Sequence, residues 1–246
     1  MDLGLGGATA LVLGASSGLG LASAEALREE GANVVMLARR EEPLHEHARR
    51  LGATAVPGDV RERADLERAV ETAVGTYGGL DVLVLNSGGP PAGRAQDSDE
   101  DAVRLAVELL LTPVVTLTRA ALPHLRASGR GRIISIASIT VFEPVANLAL
   151  SNAVRPGVWG YLKTLADEVA PDGITVNAVA PGRIFTARTR ALFGERPPAS
   201  EIETIPLGRY GTPRELGDVI CFLASRQASY LTGTIVRVDG GLSRSL

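Results

Sequence analysis

Short apolar runs alternate with longer amphipathic segments along almost the whole chain, and this pattern constrains the fold more than any other feature. Runs at 8–13, 33–38, 81–86, 132–137, 174–180 and 234–239, with a shorter one at 53–57, are rich in Val, Ile, Leu and Ala. They are apolar throughout rather than at every second residue, as strands buried on both faces of a parallel sheet must be. The segments between them, at about 18–30, 62–77, 98–128, 149–169 and 213–225, carry helical spacing. Strand–helix alternation of this kind predicts an α/β fold, doubly wound, with a parallel sheet of about seven strands. No Pro/Gly/Ser-rich linker or run of like charge divides residues 1–246, so a single domain is expected. Ser98, with Asp101 three residues on, predicts a capped helix start. Pro113 is expected to kink or split the helix that follows.

Composition narrows the classes of partner. The formal net charge is −3, from 28 acidic and 25 basic residues, which argues against nucleic acid or an anionic membrane. Cys221 is the only cysteine and lies in the apolar run D-V-I-C-F-L-A, where a buried, unreactive thiol is expected. A single cysteine excludes an intrachain disulfide and fits a cytoplasmic protein. No basic and apolar leader follows Met1, so no signal peptide is expected. The most apolar stretch, 105–117, carries Glu108 and Pro113 and reads as too short and interrupted to span a bilayer. His45, His47 and His124 lie in surface-type helical contexts, and no metal site is predicted.

The first predicted strand runs into G-A-S-S-G-L-G, with Gly14, Gly18 and Gly20 opening a helix. Glycines there permit a tight turn and a close backbone approach, and a helix N-terminus offers unpaired N–H groups to a phosphate. Asp59 closes G-D-V after the third strand, where a carboxylate can accept from an adenine amino group. L-N-S-G-G (85–89) ends the fourth strand and A-P-G-R-I-F-T (180–186) the sixth. In this order the motifs resemble the short-chain dehydrogenase/reductase family. The stretches I-P-L-G-R-Y-G-T-P (205–213) and Y-L-T-G-T-I-V-R-V-D-G-G (230–241) are similar to its 3-oxoacyl-ACP reductase branch. The resemblance spans essentially the whole chain. It implies a Rossmann-type domain and a nicotinamide dinucleotide cofactor. Gly14, Ser16, Gly18, Leu19 and Gly20 would cradle its pyrophosphate, and Asp59 and Val60 would flank the adenine. Asn86, Ser87 and Gly88 would line the ribose side, and Pro181, Gly182, Ile184 and Thr186 would hold the nicotinamide carboxamide. Alternatively, Asn86 only secures a strand end. The chain departs from the pattern at Leu13 and Leu85, where the family has Thr and Asn.

Ala38 stands where NAD-preferring relatives carry an Asp, and Arg39 and Arg40 follow it. A guanidinium pairs with a 2′-phosphate that a carboxylate would repel, so NADP(H) is favoured over NAD(H); alternatively these arginines only begin a solvated helix.

The catalytic end departs further. The family's tetrad is Asn, Ser, Tyr and Lys. Ser138 takes the Ser position, but Leu110, Ser151 and Arg155 stand at the other three. No Y-x-x-x-K occurs in the chain, and Lys163 is its only lysine. Ser151 and Arg155 share a helix face. Arg155 can still donate to ribose hydroxyls, but a guanidinium does not shuttle protons near neutrality. Ser151 is no acid near neutrality, and its hydroxyl stops short of where a phenol reaches. Glu143, in the loop before that helix, is a candidate proton donor if partly buried, or else a solvent-facing loop residue. Residues 187–206 resemble the variable substrate lid, where Arg188, Arg190 and Arg196 either meet an anionic substrate or pair with Glu195, Glu201 and Glu203.

Two functions follow as expectations. One is an NADP(H)-dependent oxidoreductase acting on a small-molecule or acyl-carrier-linked carbonyl, with Ser138, Ser151 and Arg155 at an atypical site. The other is a non-catalytic cofactor-binding or assembly protein on the same fold. The family commonly forms homodimers or homotetramers through helices near 98–128 and 149–169, where Gly157 and Gly160 would allow close contact.

Overall fold

The computed structural model describes residues 2–245, with the side chains of Arg188 and Leu192 outside the described set. Its strands are β1 (Thr9–Leu13), β2 (Asn33–Ala38), β3 (Thr54–Pro57), β4 (Val82–Leu85), β5 (Arg132–Ile136), β6 (Thr175–Pro181) and β7 (Ile235–Val238). They form one seven-stranded parallel sheet in the order β3-β2-β1-β4-β5-β6-β7. The helices are α1 (Gly18–Glu29), α2 (Glu41–Leu51), α3 (Arg63–Tyr77), α4 (Glu100–Leu110), α5 (Thr112–Ser128), α6 (Ala149–Val169), α7 (Ala187–Phe193), α8 (Ala199–Ile202) and α9 (Pro213–Ala224). Because β1, β2, β4, β5 and β6 are buried on both faces, two apolar layers form. Leu11, Leu13, Leu83 and Ile133 face Leu66, Leu117, Leu125 and Leu162. Val12, Met36, Val84 and Ile134 face Leu27, Leu44, Leu216 and Ile220.

The expected strands are present with ends moved by a residue or two. The helix starting near Ser98 begins one residue later: Asp99 is its cap, and its carboxylate accepts from the Ala102 N–H at 2.8 Å. Ser98 instead donates to the Arg94 carbonyl. Pro113 does split the following segment, for α4 ends at Leu110 and α5 begins at Thr112 with the proline in its first turn, where a missing N–H is harmless. Glu100–Ser128 contains a window long and apolar enough to cross a membrane, but the break at Leu111 interrupts it, as expected. Here the two pieces instead pack on each other, with α5 also against α3 and α4 against α6. Cys221 is buried as expected, and burial pushes its thiol up to about 12.

Around the C-terminal edge of the sheet, side chains fasten the loops. Arg209 and the N–H of Thr212 both bind Glu215, which closes a capping box at the start of α9. These partners, Arg209 first, hold the Glu215 carboxyl down at about 2 against an ordinary 4.5. A carboxylate with a depressed folded-state pKa contributes stability that is complete above its unfolded value and lost as pH falls toward the folded one.

Two predictions follow from this packing. A Cβ at Gly20 would lie 2.4 Å from the Gly14 carbonyl oxygen, so Gly20→Ala must lift α1 off β1. The expected cost is about 1–3 kcal/mol, read as a lowered urea midpoint with an unchanged slope. Between pH 5 and pH 2, the parent's Tm should fall more steeply than that of Glu215→Gln, which has no proton to take up at that position. Parallel curves would remove Glu215 from the acid response.

Candidate functional site

In this strand order the chain leaves β1 toward β2 on one side and returns to β4 on the other, which opens a crevice beyond the C-terminal ends of β1 and β4. A cleft of about 380 Å³ lies there, lined by Gly14, Ser16, Arg39, Arg40, Val60, Asn86, Ser87 and Gly88 among others. Gly14 has φ +63°, and a Cβ on it would meet the Asn86 side chain at 2.5 Å. At the start of α1 no side chain caps the backbone, and the first turn holds no acidic residue. Unpaired N–H groups and the positive end of the helix dipole are therefore left for an anion. A cradle that a Cβ would fill, beneath an uncapped helix, fits a dinucleotide pyrophosphate.

Other predicted residues take different places. Gly18 lies at the helix start with φ +59° and faces Thr186 across the cleft mouth, the Thr186 methyl being 3.9 Å from where a Gly18 Cβ would sit. Leu19 packs its side chain on the sheet core, and Gly20 permits helix–strand contact rather than lining the cleft. Asp59 turns both carboxylate oxygens to Arg61, which donates through its backbone N–H (3.0 Å) and through Nη2 (2.7 Å). These bonds hold the Asp59 carboxyl below its ordinary 3.8, and Val60 rather than Asp59 lines the cleft. Asn86 Nδ2 donates to the Leu13 carbonyl at 3.2 Å, so it does secure the end of β1 while also lining the cleft. Arg40 Nη2 reaches the carbonyl oxygen and Oγ of Ser16, at 3.2 and 3.4 Å. It thereby links the second strand's exit to the glycine turn.

Beyond β6, Pro181 and Gly182 lead into Ile184 and Thr186. A Cβ at Gly182 would come within 2.6 Å of the Asp239 Cβ, so this glycine serves packing against the end of β7. Ile184 is buried beside Gly211. Thr186 caps α7, its Oγ1 accepting from the Thr189 N–H at 3.4 Å. In the predicted lid, Arg190 pairs with Glu195 at 3.3 Å and Glu201 with Arg183 at 2.8 Å. The pairing reading therefore holds for Arg190, with Glu201 taken by Arg183 instead; the Arg188 side chain is outside the described residues.

Ser138, Ser151 and Arg155 are brought together by β5, the loop after it, and α6. Ser138 begins a 3₁₀ turn (Ile139–Val141), and its Oγ accepts from the Thr140 N–H at 3.2 Å. Ser151 is 7% exposed; its Oγ accepts from Arg155 Nε at 3.1 Å and lies 3.4 Å from Thr140 Oγ1. Arg155 Nη1 donates to the carbonyls of Ala137 (3.1 Å) and Ile136 (3.4 Å). The Arg155 side chain as a whole is half-buried, but its guanidinium end is enclosed, and burial lowers its pKa to about 10. It therefore remains a cation at neutral pH. Behind it lies a largely apolar cavity of about 30 Å³, lined by Leu85, Leu110, Pro113, Ser135 and Trp159 among others. Room for a water exists there, but Leu110 offers it no hydrogen bond.

Tyr161 and Lys163, further along α6, are each engaged away from the site. Tyr161 Oη is 3.2 Å from Thr118 Oγ1, and Lys163 Nζ donates to the Gly233 carbonyl at 3.0 Å. Glu143 is a partly exposed loop residue whose carboxylate is bonded away from the site. Its Oε2 accepts from the backbone N–H groups of Arg244 and Ser245 at 3.0 and 3.2 Å. That role was not readable from the sequence, because it joins positions about a hundred residues apart.

Residues 14–243 match the family model described as enoyl-(acyl carrier protein) reductase. The 3-oxoacyl-[acyl-carrier-protein] reductase of Vibrio cholerae is 36% identical over 242 residues, covering 98% of this chain and 99% of the relative. Human dehydrogenase/reductase SDR family member 4 is 33% identical over 94% of this chain and 86% of its own length. Among solved structures, L-sorbose reductase from Gluconobacter frateurii, complexed with NADPH and L-sorbose, superposes with a TM-score of 0.94 at 33% identity, covering both chains completely. Matches this extensive in sequence and in fold leave one assignment: the chain belongs to the short-chain dehydrogenase/reductase family.

Proposed function

We propose that the protein is an NADP(H)-dependent oxidoreductase that transfers hydride to the carbonyl of a small-molecule or acyl-carrier-linked substrate. The observation that carries this reading is the cleft at the β1–β4 crevice, with its uncapped helix and the Arg40–Ser16 contact at its rim. Gly14, Ser16 and the first N–H groups of α1 would hold the pyrophosphate. Arg39 and Arg40, with no carboxylate at position 38, would take the 2′-phosphate. The L-sorbose reductase structure, which holds NADPH, supports the same choice. A bound nicotinamide supplies hydride; everything else must come from the chain.

Ser138 accepts from Thr140 through its oxygen, so its hydroxyl proton remains free to donate to a substrate carbonyl. Arg155 adds fixed positive charge close by and uses only Nε and Nη1 in the bonds described above. Ser151 is too buried to deliver a proton, so water from the cleft protonates the alkoxide. Losing a positioned acid costs roughly 10²–10⁴-fold in rate, and slow turnover is expected. The exposed Val103 and Val115 on α4 and α5, and the open faces of Gly157 and Gly160 on α6, support a homo-oligomer built through those helices. The buried single thiol fits a cytoplasmic setting.

One observation favours a second reading, a cofactor-binding protein without chemistry. Arg155, Ser151 and Thr140 bond to one another and to the strand end, as a purely structural cluster would.

Fluorescence titration should show NADPH binding at least about tenfold tighter than NADH, with Arg39→Ala/Arg40→Ala bringing the ratio near one. Equal affinities in the parent would overturn the cofactor choice. On a ketone and 3-oxoacyl panel, Ser138→Ala should lower kcat/KM by about 10²-fold. No turnover in the parent, with activity appearing in Ser151→Tyr/Arg155→Lys, would establish the second reading.

A further inference from the structure

Glu143 is the single acidic residue between Ser138 and α6, and the site chemistry above does not use it. Its carboxylate oxygen instead receives two successive N–H groups from the segment after β7, those of Arg244 and Ser245. Arg237, on β7, completes the contact from the other side. Its Nη1 donates to the Ser245 carbonyl at 2.5 Å and its Nη2 to Ser245 Oγ at 3.2 Å. The face of the same guanidinium lies 4.0 Å from the centre of the Phe142 ring. Asp239 holds the near end of the segment, accepting from Ser243 N–H at 3.0 Å and from Gly241 N–H at 2.9 Å.

We infer that residues 242–245 form a latch that positions the loop carrying Ser138, with Glu143 and Arg237 as its positioning residues. Segments outside helices and strands wander unless tied down. Here the two segments tie each other. A carboxylate accepting two N–H groups makes stronger bonds than a neutral oxygen would, and one arginine grips tail and loop together through its edge and its face. On its far side the loop is held by Asn152, whose amide exchanges two hydrogen bonds with the Val145 backbone, at 3.1 and 2.9 Å. The latch supplies the opposing hold, nearer to Ser138 in sequence. Its meaning for turnover rests on the proposed role of Ser138; its meaning for the loop does not.

Amide hydrogen exchange on the full chain tests it, with a variant lacking 242–246, with Glu143→Ala and with Glu143→Gln. Exchange across 139–147 should quicken by about tenfold or more in the truncated chain and in Glu143→Ala. Glu143→Gln should lie between the parent and Glu143→Ala, because its neutral oxygen still accepts but less strongly. Exchange at 14–20 and NADPH affinity should stay within about twofold of the parent in all of them. Glu143→Ala placed in the truncated chain should add nothing further, since both changes break one contact. Parent-like exchange at 139–147 after truncation, or additive effects of the two changes, would overturn the latch. If the truncated chain does not fold, Glu143→Ala and Arg237→Ala decide in its place. Turnover is read separately: a lowered kcat in Glu143→Ala, with NADPH affinity unchanged, supports positioning of Ser138. An inactive parent with a quickened loop defeats the catalytic reading alone and leaves the latch standing.

Discussion

In an all-parallel sheet every strand delivers its C-terminal end to one edge, and the backbone groups left there have no further strand to pair with. The rest of this structure depends on how that edge is managed. Between β1 and β4 the winding reverses, so no crossover covers the gap, and the crevice stays open to a ligand. Along the same edge the loops are fastened by side chains: Asn86 to Leu13, Arg40 to Ser16, Glu215 to Thr212 and Arg209, Asp239 to Ser243. One edge therefore carries both the expected ligand site and most of the polar ties that give the loops their shape.

That double use changes what the survival of a motif can mean. Gly182, Thr186 and Ser138 read in sequence as remnants of chemistry. In the structure each also has a local reason to be there. Gly182 makes room for Asp239, Thr186 caps α7, and Ser138 caps the turn after β5. Such positions would be retained for folding alone. The stronger functional signal comes from features with no evident folding role, chiefly the uncapped start of α1 and the open cleft beneath it. An unsatisfied helix end facing a cavity is a standing cost that a bound anion offsets.

The strands and the split at Pro113 were legible because they rest on local rules: continuous apolar runs, and a proline that cannot donate. The cap at Asp99 instead of Ser98 was a near miss between adjacent residues of equal capping ability. Asp59 was legible as a strand-end carboxylate but not as Arg61's partner, since both an adenine and a guanidinium offer donors at that distance. Contacts across the sheet were not legible at all. Glu143 meeting the chain's last residues, and Gly182 meeting Asp239, depend on β5, β6 and β7 lying side by side. No pattern within either segment encodes that neighbourhood.

The replacements at 151 and 155 are best understood as one change. A guanidinium is longer and wider than an ammonium and must satisfy donors spread across a plane. Buried at this position, with no carboxylate to pair with among the described residues, it turns to what oxygen is near: the carbonyls of Ile136 and Ala137, and the hydroxyl of Ser151. A small hydroxyl one helical turn away accepts from Nε at 3.1 Å. A phenol on the same Cα would carry its oxygen several ångströms further out and leave Nε facing a ring edge. Conversely, a lysine beside Ser151 would reach fewer of these acceptors and leave the enclosed carbonyls short of a donor. Each residue thus makes the other tolerable, and Leu110 closes the space behind them with apolar surface. On the proposed reading, this leaves a site with a fixed positive charge and no internal proton donor, and a proton for the substrate arrives from the cleft side.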